Sequence, residues 1–141
     1  MSYDSSNIFA KILRGEIPCH KVYEDADALA FMDIMPQAPG HTLVLPTAAS
    51  RNLLDADPAT LGRLMAVVQK VAVAAKAAFG ADGIRIQQFN EAPAGQTVFH
   101  LHVHVIPMRE GHRLSHHGGT QEDGAVLAAN AVKLKAALDA G

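Results

Sequence analysis

The sequence predicts an α+β fold: an antiparallel sheet of about five strands carrying two to three helices. Three observations lead there. An apolar hairpin comes early, around the "EDAD" turn at 24–27, and no βαβ unit repeats after it. Strand-like runs and one long helical run alternate only loosely, as helix, hairpin, strand, helix, two strands, helix. The stretch 97–107, "TVFHLHVHVIP", alternates at the period of a strand. A chain of 141 residues fits a single domain, 1–141. Its core is expected over 5–110, with a mobile polar segment over 111–122 and a C-terminal helix over 123–140.

Each element has its own local reasons. "SSNIFAKILRGEIP" offers Ser or Asn as a cap, then Ile8, Phe9, Ile12 and Leu13 at helical spacing, and Gly15 and Pro18 as terminators. "HKVYEDADALAFMDI" reads as two strands, and Thr42–Leu45 as a third, closed by Pro46. Asp57 caps the longest helix, Pro58 suits its first turn and Gly80 its end. Its apolar stripe is Leu61, Leu64, Met65, Val68, Val71 and Ala75, read as core. "GIRIQQFN" and "TVFHLHVHVIP" are the last strands, and "AVLAANAVKLKAALDA" the last helix.

Composition removes several classes of function. The net charge is −2 with no long basic block, which gives no broad attraction to nucleic acid or anionic lipid. The single cysteine, Cys19, excludes an internal disulfide and a thiolate-rich metal site. No run of about 18 apolar residues and no basic, apolar leader occurs. A cytoplasmic protein without membrane or nucleic-acid partners is expected.

The informative stretch is "FHLHVHVIP", residues 99–107. On a strand His100, His102 and His104 share one face, and Leu101, Val103 and Val105 the other. The spacing alone admits a metal site, a catalytic site or a strand rich in histidine. Against metal stands the absence of Asp or Glu in the flanking strand to orient the rings. For catalysis stands the preceding loop "NEAPAGQT", 90–97, where Asn90, Gln96, Thr97 and the Gly95 N–H offer neutral donors suited to phosphoryl oxygens.

At this point "GQTVFHLHVHVIP", with the upstream "PQAPGH" and "NIFAKILRGEIP", resembles the histidine triad superfamily of nucleotide hydrolases and transferases, nearest its bacterial and nucleotide-binding branch. The resemblance runs from the N-terminal helix to about Pro107. It implies an α+β sheet, two copies joining sheets in a homodimer, and cleavage at the α-phosphate of a purine nucleotide. By that likeness His102 is the nucleophile, His100 holds its tautomer, and His104 supports the phosphate and leaving group. Thr97 stands where the nucleotide-binding branch commonly has serine and keeps the hydroxyl for a proton relay, and His41 matches a fourth active-site histidine. Asn90, Gly95, Gln96 and Val98 match the phosphate-contacting loop, and Asp33 the acid that binds the ribose. Ile8, Phe9, Ile12, Phe31 and Ile34 match the apolar walls around the base.

One departure concerns metal. Many bacterial relatives carry Cys-x-x-Cys and a further histidine where this chain has Asn7, Ala10 and Ala49, so no structural zinc and no obligatory cofactor is expected. No role attaches to His20, His112, His116 or His117. The candidate substrates are purine nucleoside phosphoramidates and diadenosine polyphosphates, which differ only in leaving group. A non-catalytic nucleotide sensor and a histidine-ligated zinc hydrolase remain open, the second separable by its sensitivity to EDTA.

Overall fold

A computed structural model describes residues 2–115 and 119–141. Helix α1 (Ile8–Leu13) is capped by Asn7, whose side chain accepts from the Ala10 N–H. Strands β1 (Lys21–Glu24), β2 (Ala28–Met32) and β3 (Thr42–Pro46) follow, then α2 (Pro58–Ala78), β4 (Gly83–Gln87), β5 (Val103–Met108) and α3 (Gly124–Ala140). Short 3-10 turns at Leu53–Asp55 and Ala92–Ala94 lie in loops the sequence does not mark as helical. The five strands form one antiparallel sheet in the order β1-β2-β3-β5-β4, the α+β fold expected.

The two faces of the sheet have different covers. On one, Ala28, Ala30, Val44, Leu101, Val103 and Val105 pack against Leu64, Val68 and Val71 of α2 and Leu127 and Leu134 of α3. On the other, Leu29, Phe31, Leu43 and Leu45 meet Phe9 of α1, with Ile12, Leu13, Cys19 and Val98 at the margin. Alternation along each strand sends neighbours to opposite faces. Register then aligns Phe31 with Leu43 and Leu43 with His104, a row on the second face.

Two expectations are corrected. Met65 was expected in the core stripe of α2 but is 48% exposed. The stripe follows Leu64, Val67, Val68, Val71, Ala74 and Ala75, and Met65 lies about 100° round the helix from Leu64. The histidine strand is also shorter than "TVFHLHVHVIP" suggests, because β5 begins only at Val103. Leu101 already turns its N–H to the Ser50 carbonyl (2.9 Å), a loop acceptor, instead of the β3 ladder. Alternation nevertheless continues through this segment, with Leu101, Val103 and Val105 all in the helix-covered core.

Gly40 has a backbone reason. It sits at φ 89°, and a Cβ there would lie 2.6 Å from the Phe79 ring. Only glycine satisfies both the left-handed conformation and that approach. The turn it makes delivers His41 to the start of β3. Farther along, Ser115 donates its N–H to the Gln37 carbonyl (2.7 Å) and Glu122 to that of Ile34 (2.8 Å), tying the segment after β5 to the loop after β2. His116 and His117 lie outside the described residues.

Candidate active site

The second sheet face opens into a cleft of about 600 Å³. Its walls include Ile8, Phe9, Ile12, Phe31 and Ile34, and Asp33, Thr97, Val98, His102 and His104 also border it. Ten of the residues singled out in the sequence therefore meet in one place. Asn90, Gly95, Gln96, His41 and His100 do not border the cleft. His41 and His100 are buried behind it, at 0% and 1% exposure.

Hydrogen bonds, three of them to backbone groups, fix where each imidazole keeps its proton. His102 Nδ1 lies 2.6 Å from the His100 carbonyl, which only accepts, so Nδ1 carries the proton and Nε2 the lone pair. His100 Nε2 lies 2.8 Å from the Pro46 carbonyl and is protonated by the same reasoning. On the other arm, the Gln37 N–H donates to His41 Nδ1 at 3.0 Å, which leaves the His41 proton on Nε2. That N–H donates to His104 Nδ1 at 2.9 Å, so the His104 proton sits on Nε2. A pair of adjacent rings results, 5.1 Å apart: His102 with a lone pair at Nε2, His104 with a donor there. Phe9 meets the His102 ring edge-on at 4.8 Å. Burial pushes the His100 ring below the ordinary histidine range, opposed by its bond to Pro46.

Asp33 is nearly buried, accepts the Met35 N–H on Oδ1 (2.8 Å), and brings Oδ2 within 3.4 Å of His41 Nε2. Among the described residues, Asp33, His41 and His104 are close enough together to suggest metal ligands. Proton placement argues against them as a set. A ligating histidine normally donates its second N–H outward, whereas His41 Nδ1 accepts one, and ligation at Nε2 would require an imidazolate. At positions 7, 10 and 49 the fit also fails: Asn7 caps α1, and the two alanines offer no ligand atom.

The loop before the histidines differs from expectation in its details. Gln96 offers no spare N–H to a phosphate, because its amide donates to the carbonyls of Arg51 (2.7 Å) and Val98 (3.0 Å). Its Oε1 accepts from Glu91 N (2.8 Å) and Asn52 Nδ2 (3.1 Å). The Gly95 N–H likewise goes to the Ala92 carbonyl (3.0 Å), and φ 106° accounts for glycine there. Asn90 ties Leu53 N to the loop (2.9 Å) and pairs with Gln88. These residues brace the loop, while Thr97 and Val98 present it to the cleft.

Several members of the site carry no signal in sequence spacing. Glu91, at φ 76°, receives a fork of bonds from Arg51 (2.8 and 3.0 Å) and one from Asn52 (2.6 Å). Pro18, Cys19 and His20 line the cleft, and burial raises the Cys19 thiol above its ordinary range. Tyr3 reaches His100 Nδ1 at 2.6 Å. Gln37 lies within the quoted "PQAPGH", but its part is played by a backbone N–H that any residue but proline supplies.

The site is thus an apolar cleft on a small α+β domain, bordered by His102 and His104, whose protons are positioned by hydrogen bonds. Comparison with known proteins identifies the family. The HIT domain model matches residues 14–111. A crystal structure of a Hit-like protein involved in cell-cycle regulation from Bartonella henselae, with an unknown ligand, is 57% identical with a TM-score of 0.91, covering 96% of this chain and 99% of that one. A zinc-bound histidine triad family protein from Mycobacterium smegmatis is 38% identical with a TM-score of 0.86, covering 96% and 94%. The adenylylsulfatase HINT3 of Arabidopsis thaliana is 37% identical over 103 residues, 73% of this chain and 52% of that protein. The chain belongs to the HIT, or histidine triad, family of hydrolases and nucleotide-binding proteins.

Proposed function

We propose that the protein hydrolyses purine nucleotides at the α-phosphate through a nucleotidyl group carried on His102. The observation that carries this reading is the 2.6 Å contact of His102 Nδ1 with the His100 carbonyl, which leaves Nε2 as the lone-pair nitrogen of a ring bordering the cleft. A neutral imidazole is a competent nucleophile near neutral pH, and a covalent adduct divides one displacement into two.

In the first step the His102 Nε2–phosphorus bond forms as the bond to the leaving group breaks. The leaving group takes a proton drawn from solvent and relayed by the Thr97 hydroxyl. The His104 Nε2–H donates to a phosphoryl oxygen as charge develops there. Water then attacks phosphorus and gives a proton back to solvent, the phosphorus–nitrogen bond breaks, and nucleoside monophosphate departs with the lone pair restored to Nε2. Ile8, Phe9, Ile12, Phe31 and Ile34 clasp the base, a planar apolar group that such walls hold with little hydrogen-bond readout. Asp33 accepts from the ribose hydroxyls. Asn90, Gly95 and Gln96 keep Thr97 and Val98 in place, and His41 aligns His104.

The leaving group is an amine or a nucleotide, which places adenosine phosphoramidates and diadenosine polyphosphates in one substrate class. Two copies pair through β4: it ends the sheet order, and Ile86 on it is 43% exposed, whereas β1 at the opposite edge packs against α3. The deciding experiment measures AMP release from an adenosine phosphoramidate and from diadenosine tetraphosphate side by side, with and without EDTA. AMP from at least one, undiminished by EDTA, is expected. No AMP from either overturns the enzyme reading, and activity lost to EDTA but restored by zinc overturns the mechanism.

A further inference from the structure

We propose that Tyr3 is a positioning residue for this reaction: its hydroxyl locks the His100 ring against Pro46, and so holds the carbonyl that orients His102. The inference rests on the reading of His102 as nucleophile.

Proton placement sets the direction of the bond. His100 Nε2 must donate to the Pro46 carbonyl, 2.8 Å away, so Nδ1 can only accept. Tyr3 Oη stands 2.6 Å from that nitrogen and is therefore the donor. The rings meet edge-on, with centroids 5.6 Å apart at 70°. His100 is 1% exposed, so its ring is closed to bulk water, and Tyr3 supplies the side-chain donor that its Nδ1 needs.

The N-terminal segment is pinned so that it can deliver that donor. Arg51 Nη1 donates to the Ser2 carbonyl (3.3 Å), and Arg14 Nη1 donates to that of Ser5 (2.9 Å). Arg51 also grips Glu91 and lies 4.2 Å over the ring of Phe99, the residue before His100. Both ends of the Tyr3–His100 contact are thus tied to one guanidinium.

Deleting the hydroxyl leaves His100 Nδ1 buried without that donor. The ring then gains from turning over or shifting toward another one, and the carbonyl on the same residue moves with it. Loosening the 2.6 Å contact lets His102 populate the tautomer with its proton on Nε2, which has no lone pair to attack with. The walls and Asp33 are untouched, so substrate binding is unaffected. Displacements of this kind cost one to two orders of magnitude in rate.

The test is Tyr3→Phe, read in two ways that a packing role alone would not move together. Expected are a kcat about tenfold lower for AMP release, a KM within about twofold of wild type, and a melting temperature changed by only a few degrees. In the ligand-free protein, nitrogen-15 resonances of the His102 ring should shift from a fixed Nδ1–H form toward averaged values. A kcat within about twofold of wild type overturns the proposal, as do unchanged His102 resonances. If the wild type itself releases no AMP, the catalytic reading fails, and the ring-nitrogen comparison still decides whether Tyr3 orients His102. Tyr3→Leu, which removes the ring as well, should repeat the kcat loss with a lower melting temperature; wild-type kcat in that variant also overturns the proposal.

Discussion

Residues 100–105 face two ways, and the two sides obey different rules. Leu101, Val103 and Val105 sit in the helix-covered core at 1%, 4% and 0% exposure, held by contact with whatever apolar atoms surround them. His100, His102 and His104 are almost as buried, at 1%, 9% and 2%, yet each is held by a directed bond to one particular group. Packing tolerates exchange among apolar shapes, with a loss that grows with the cavity left behind. A hydrogen-bonded imidazole is less tolerant, because an exchanged side chain no longer places a proton where its bond fixes it. Substitutions on one side should change stability and leave chemistry alone; on the other they should act first on chemistry.

The largest effect is expected at the cleft. His102→Asn should lower AMP release by at least about a thousandfold, since loss of a covalent nucleophile removes the two-step path. Its melting temperature should stay near wild type. Next comes the opposite face: Leu101→Ala should destabilise the fold by about 2–5 kcal/mol, seen as a lower denaturation midpoint. Its kcat, measured well below the transition, should match wild type. A Leu101→Ala enzyme that is stable but inactive would break the comparison.

A third substitution sharpens it within the cleft. Asp33→Asn keeps shape and removes charge, and should raise KM about tenfold with kcat changed less, as expected for an acceptor of ribose hydroxyls. The smallest effect is electrostatic. Burial lowers the pKa of folded His100 from the ordinary 6.5, so the unfolded chain takes up its proton first as pH falls. The contribution of His100 is complete above the unfolded value and declines as pH drops below it. Thermal melts taken from about pH 7.5 down to about pH 5.5 should show a falling melting temperature, and His100→Gln should flatten that slope.

The fold was largely legible because its signals are local. Asp57 caps the long helix as its sequence suggests, Pro58 opens its first turn, and the "EDAD" turn joins two strands. The walls of the cleft were legible only through resemblance, since Ile8 or Phe31 alone reads as core. Residues whose roles depend on contact at long sequence separation could not be read. Tyr3 bonds a residue 97 positions away, and Arg51 reaches Glu91 across 40. Gln96 misled for a related reason: an amide in a donor-rich loop suggests a phosphate ligand, but its N–H groups go to the Arg51 carbonyl, 45 positions away, and to that of Val98. The early end of the histidine strand was hidden likewise, because the Ser50 carbonyl that draws off Leu101 lies in a distant loop.

The central claim, that His102 carries the nucleotidyl group, is tested most directly by the stereochemical course at phosphorus. An adenosine thiophosphoramidate of known configuration, hydrolysed in oxygen-18 water, gives a product whose handedness counts the displacements. Attack by His102 followed by attack by water inverts phosphorus twice, and the account predicts net retention. Net inversion would mean that water attacks in a single step, and it would contradict the covalent role assigned to His102.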